Sequence, residues 1–123
     1  MPSIYNKLHD EYTSLVESFL SKDGYKILGH SSMKDGSYDF EAEKHDVQFR
    51  IKTIRINKAG TRIPTLQLEM VFKRIVDKQD SAYTYVLITN GVVNVNKRKY
   101  AEEHGISVMD ASIPYPWNKA TTQ

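Results

Sequence analysis

Cysteine is absent from the 123 residues. That removes disulfides, iron–sulfur clusters and thiolate zinc sites from consideration. Any metal must then sit on oxygen or imidazole ligands. No run of about 18 apolar residues occurs, so no membrane-spanning helix is expected. The opening MPSIYNKLHDEY lacks a basic segment followed by an apolar one, so no secretory signal is expected either. The expected setting is intracellular, in cytoplasm, nucleoid or nucleus. Charge of one sign is not in excess: 17 Lys+Arg stand against 15 Asp+Glu. So small a surplus names no partner by itself. There is no internal repeat and no low-complexity segment. No glycine-rich loop follows a strand, and no Gly-x-Ser-x-Gly surrounds Ser31 and Ser32, so nucleotide-cradling and serine-nucleophile sites drop out. His9, His30, His45 and His104 lack metal-ligand spacing and read as separate surface histidines.

What is present is the make-up of a globular protein, 40% apolar and 26% charged. Residues 1–111 read as a single domain, and residues 112–123, with two prolines and no periodic pattern, as a loose C-terminal tail on which Tyr115 and Trp117 can dock. Ile4, Leu8, Tyr12, Leu15, Val16, Phe19 and Leu20 recur at helical spacing and predict a first helix ended by Gly24. A short strand follows over residues 25–29, then a loop over 30–36. Tyr38, Phe40 and Ala42 alternate with Asp39, Glu41 and Glu43. Lys44, His45 and Asp46 turn the chain. Val47, Phe49 and Ile51 then alternate with Gln48, Arg50 and Lys52. Period two over that length predicts a β-hairpin with Phe40, Phe49 and Ile51 on its core face.

Residues 57–62 are a turn, and Pro64 opens a second helix with the stripe Leu68, Val71, Phe72, Ile75 and Val76. The apolar run over residues 83–89 predicts a buried strand. Asn94 or Asn96 caps a third helix over 97–104, and a final strand covers 106–109. The order α, three β, α, β, α, β points to an α/β domain with a central mixed sheet flanked by helices.

The hairpin carries the chemistry. Asp39, Glu41 and Glu43 share one face of its first strand; Gln48, Arg50 and Lys52 share one face of its second. The rows can meet as charged rungs on a wet sheet face. They can also form a metal site, since Mg²⁺ takes carboxylate oxygens and a nearby lysine can serve the attacking water and the phosphorane charge. Arg50, Lys52, Arg55, Lys58 and Arg62 follow one another with no acid between them, which suits phosphate binding or a lysine- and arginine-rich edge. Tyr83, Tyr85 and Trp117 can stack on bases or pack inward.

Three passages resemble the restriction-endonuclease-like superfamily with the motif PD-(D/E)xK, in particular its Mrr-like and archaeal Holliday-junction-resolvase-like groups. LHDEYTSLVESFLSKDGYKILG resembles the opening helix, glycine–aromatic pair and strand. GSYDFEAEKHDVQFRIKT resembles the metal hairpin. YVLITNGVVNVNKRKYAEEHGISVMDA resembles the Mrr-type ending. The resemblance runs from Leu8 to Ala111. It implies a restriction-endonuclease-like fold and a metal-dependent DNA endonuclease, with DNA as partner and Mg²⁺ as cofactor. It also implies a homodimer or a protein partner as a further association.

In that match Asp39 corresponds to the motif's metal-binding aspartate, Lys52 to its catalytic lysine, and Glu11 or Glu17 to the helix acid. The family carries Glu, Asp or Gln two residues before the lysine, where this chain has Arg50. Gln48 and Arg50 can form a shifted Gln-x-Lys pattern, or Glu41 can supply the carboxylate from the facing strand. The expected metal ligands are thus Asp39, Glu41 and Glu11. The expected nucleic-acid contacts are Arg50, Lys52, Arg55, Lys58 and Arg62. The alternative is a catalytically inactive module of the same fold that binds nucleic acid or protein.

Overall fold

The computed structural model describes residues 4–31 and 36–111, with side chains from residue 7 onward. The side chain of Ile4, Ser32, and the tail with Tyr115 and Trp117 lie outside the described residues. The elements follow the expected order: α1 (Ile4–Lys22), β1 (Lys26–His30), β2 (Phe40–Lys44), β3 (Val47–Ile54), α2 (Thr65–Asp77), β4 (Thr84–Thr89), α3 (Val95–Glu103) and β5 (Ile106–Met109). They build a five-stranded sheet in the order β1-β2-β3-β4-β5. The β1–β2 and β2–β3 pairs are antiparallel, and β3–β4 and β4–β5 are parallel. Among the described residues no helix is long and apolar enough to cross a membrane.

Local chemistry explains the element ends. Gly24, at φ +96°, closes α1. Tyr25 N–H reaches back to the Leu20 carbonyl at 2.9 Å and Gly24 N–H to that of Ser21 at 3.2 Å. These two bonds make a Schellman cap, and the left-handed residue it needs is the reason for glycine. The β2–β3 hairpin turns on His45 and Asp46, both at positive φ. That is a two-residue turn whose twist matches the strands. Helix α3 begins two residues earlier than its charge pattern suggests, because the Asn94 side chain accepts from Lys97 N–H at 2.9 Å and so fixes the start.

The sheet is covered on both faces. Tyr12, Val16 and Leu20 of α1 pack on Phe40, Ala42, Ile51, Val86 and Ile88. Leu68, Phe72 and Ile75 of α2 pack with Tyr85, Leu87, Ile106 and Val108 on the other face, beside Ala101 of α3. Alternate residues of β4 therefore serve opposite cores, which is why its sequence is apolar throughout rather than alternating. Leu15, at the edge of the α1 stripe, stays 46% exposed.

The loop between β3 and α2 is held against the end of β4. The Asn90 side chain accepts from Ile56 N–H at 2.8 Å and donates to the Ile56 carbonyl at 3.0 Å. Gly60 N–H donates to the Asn90 carbonyl, and Ile63 N–H to that of Val92. A Cβ on Gly91 would lie 2.7 Å from both Ile56 and Ile63, so the close approach requires glycine. This clamp fixes the loop that carries Lys58 and Arg62. Beyond β5, the buried Asp110 accepts from Val93 N–H at 2.6 Å and meets Arg98 at 2.8 Å, tying the last strand to α3.

Candidate nucleic-acid interface

Asp39 stands where β2 begins, with its N–H on the Ile51 carbonyl at 2.7 Å. Ile51 therefore turns its backbone polar groups toward β2, and Thr53, two residues on, does the same. There the Asp39 carboxylate replaces a ladder carbonyl. Its Oδ2 accepts from Thr53 N–H at 2.7 Å and from Thr53 Oγ1 at 2.9 Å. Lys52 Nζ lies 3.6 Å from the same oxygen. Oδ1 faces His9 Nε2 at 3.3 Å. The Thr13 hydroxyl, one turn beyond His9 on α1, sits 2.8 Å from that of Thr53. Helix α1 thus reaches the site through His9 and Thr13.

Two residues further along β2, on the same face, Glu41 stands opposite Arg50. Arg50 Nε donates to Glu41 Oε2 at 3.1 Å, and its Nη1 donates to the Tyr85 hydroxyl at 3.1 Å. Its guanidinium lies between the rings of Tyr38 and Tyr83, 4.5 and 3.9 Å from their centroids. Tyr85 is itself fixed, accepting from Asp80 N–H at 2.9 Å. Burial pulls the Arg50 pKa down, but the bonds to Tyr85 and Glu41 outweigh it, so the guanidinium is held charged even more firmly than usual.

The expected residues therefore separate. The structure brings Asp39 and Lys52 together. Glu41 is engaged by Arg50 instead of turning to Asp39. Glu11 is exposed on α1, about 200° around the helix from His9. Glu17 pairs with His30. Among the described residues no group of three His, Asp or Glu side chains is placed to hold a metal. Arg50, expected among the phosphate contacts, is spent on Glu41, Tyr85 and the two aromatic rings.

Lys52, Thr53 and His9, the three partners of Asp39, line a cleft of about 490 Å³. Its other wall is α2, with Gln67, Met70 and Arg74. A second cleft of about 460 Å³ carries Lys58 and Arg62. The two share His9, Arg55, Pro64 and Gln67, so they adjoin. The cations expected from the basic block, Arg50 excepted, thus line two adjoining clefts, together with Arg74 from α2. Sequence reasoning missed His9, Thr53 and Arg74. The available signal for His9 was its i, i+4 spacing to Thr13 beside the apolar stripe of α1. Arg74 sits inside the second helix, away from the basic block, and carries no local signal.

No protein-family profile and no curated protein matches the chain. Solved structures do. A crystal structure of a protein of unknown function, AF1548, superposes with a TM-score of 0.64 at 20% identity, over 81% of this chain and 56% of that one. The MspJI restriction endonuclease, in complex with a 27-mer oligonucleotide, superposes with a TM-score of 0.50 at 17% identity, over 78% of this chain and 23% of that one. The chain thus spans about half the length of the first and a quarter of the second. With its mixed sheet and flanking helices, the chain has a restriction-endonuclease-like α/β fold.

Proposed function

We propose that this chain binds DNA through the adjoining clefts, as a diverged relative of nucleases of this fold. The carrying observation is the placement of Lys52, Arg55, Lys58, Arg62 and Arg74 along two adjoining clefts. A phosphate backbone is the ligand that asks for cations in a row and not in a cage. The fold neighbour MspJI, solved with an oligonucleotide, lends weight to the same reading. The test is a binding titration of duplex DNA across a salt series. The wild type should bind with a steep salt dependence. R55Q/K58Q/R62Q should weaken binding and lower the logarithmic salt slope by about 0.9 for each phosphate that is no longer neutralised. A wild type that ignores DNA at low salt sinks the reading.

Phosphodiester hydrolysis is the second reading, favoured by the 3.6 Å approach of Lys52 to Asp39. The donor set fits Mg²⁺ only in its sparse form, in which one carboxylate is completed by waters and substrate phosphate. When bound there, the ion would supply Lewis-acid polarisation of the phosphate. Asp39 would hold it, with Oδ2 kept in place by Thr53, and Lys52 would stand against the charge that develops on the phosphate. Cleavage in Mg²⁺ or Mn²⁺ that disappears in Asp39→Ala would support this reading. Intact DNA that still shifts in a gel leaves binding alone.

A further inference from the structure

The cleft has one feature that phosphate binding does not use. Leu66 is 68% exposed and Met70 48% exposed, and both line the cleft wall formed by α2. With Arg74 they stand at i, i+4 and i+8, on one ridge of the helix. Lys52 and Arg55 stand across from them, on and just beyond β3. One wall therefore offers cations and the other an apolar pair that ends in an arginine.

We propose that the cleft takes DNA with unpaired bases, its backbone on the β3 side and its base faces against Leu66 and Met70. This rests on the reading of the cleft as a DNA site. Charge complementarity requires a polyanion, and the apolar pair requires that the polyanion also present apolar surface. A closed duplex shows phosphates, sugars and the polar edges of its bases. Its apolar base faces are stacked out of reach. Unpaired bases expose those faces, and apolar side chains such as Leu and Met are the kind that proteins set against unstacked steps.

The experiment compares three forms of DNA at one salt concentration by fluorescence anisotropy. They are an oligothymidylate, a blunt duplex, and the same duplex with a central bubble of unpaired bases. The strand and the bubble should bind roughly tenfold tighter than the blunt duplex. L66Q/M70Q should erase that preference. Both positions are exposed and glutamine is a good helix former, so the fold survives, which circular dichroism checks. Equal affinity for the wild type on all three forms overturns the proposal and leaves DNA binding standing. Failure to bind any form overturns both. Should light scattering show that L66Q/M70Q turns a dimer into a monomer with the preference unchanged, the apolar pair serves self-association and the proposal falls.

Discussion

The Asp39–Lys52 and Glu41–Arg50 pairs are neighbours on one face of the hairpin, each an acid beside a base, and they end in different environments. Arg50 is enclosed: a carboxylate, a tyrosine hydroxyl and two aromatic rings surround it. Lys52 has one carboxylate at 3.6 Å and lines the cleft, its side chain as little exposed as that of Arg50, 14% against 18%. The difference arises from what each rung borders. Tyr83 and Tyr85 come from the start of β4 and close over Arg50. Lys52 lies further along β3, toward the loop that the Asn90 clamp holds against the end of β4. Arginine, with its planar fork, suits a site with several partners, and lysine suits a single point charge at the cleft wall. The position two residues before Lys52 is thus filled by a residue that ties β2, β3 and β4 together.

If the two rungs differ in this way, substitution should separate stability from binding. Arg50→Ala should cost about 3 kcal/mol, since it strands Glu41 and removes the stem that the tyrosines pack on. Urea denaturation measures that loss, and DNA affinity should change less than about twofold. A loss below about 1 kcal/mol would show the enclosure to be ornamental. The next effect is a coupling. A double-mutant cycle on Glu41 and Arg50, each changed to Gln, should give about 1–2 kcal/mol. The same cycle on Asp39 and Lys52 should stay under about 1 kcal/mol, because the 3.6 Å pair is looser and Asp39 keeps its bonds to Thr53. Equal couplings would erase the distinction.

The order of elements was legible from periodicity and punctuation. Gly24, Pro64 and the alternation from Tyr38 to Ile51 each act locally, so a linear reading finds them. The pairing of Asp39 with Lys52 was also within reach, because hairpin register follows from the turn. The enclosure of Arg50 was not. Tyr83 and Tyr85 sit more than thirty positions away, and their meeting with Arg50 depends on the β3–β4 register. Sequence separation hides the groove for the same reason. His9, Lys52, Lys58 and Arg74 come from a helix, a strand, a loop and a second helix. Glu41 shows the limit of face counting. It has the parity of Asp39, yet the better partner across the rung takes it.

The smaller effects concern Asp39 and Lys52. Asp39 places a negative charge beside a groove that otherwise attracts phosphate. Asp39→Asn removes that charge, while an amide oxygen can still accept from Thr53. Stability should therefore fall by about 1 kcal/mol or less, and duplex DNA should bind about threefold tighter at low salt without metal. Lys52→Gln acts in the opposite direction. It should weaken binding by about threefold and take about 0.9 from the salt slope, with little change in denaturation. The signs carry the argument more than the sizes. Both substitutions alter the same ion pair, so a purely structural rung would respond to each with a loss of stability and no change in affinity. Opposite shifts in affinity that persist at a salt where the Debye length is about 10 Å are expected if the phosphates lie in the groove beside Asp39 and Lys52.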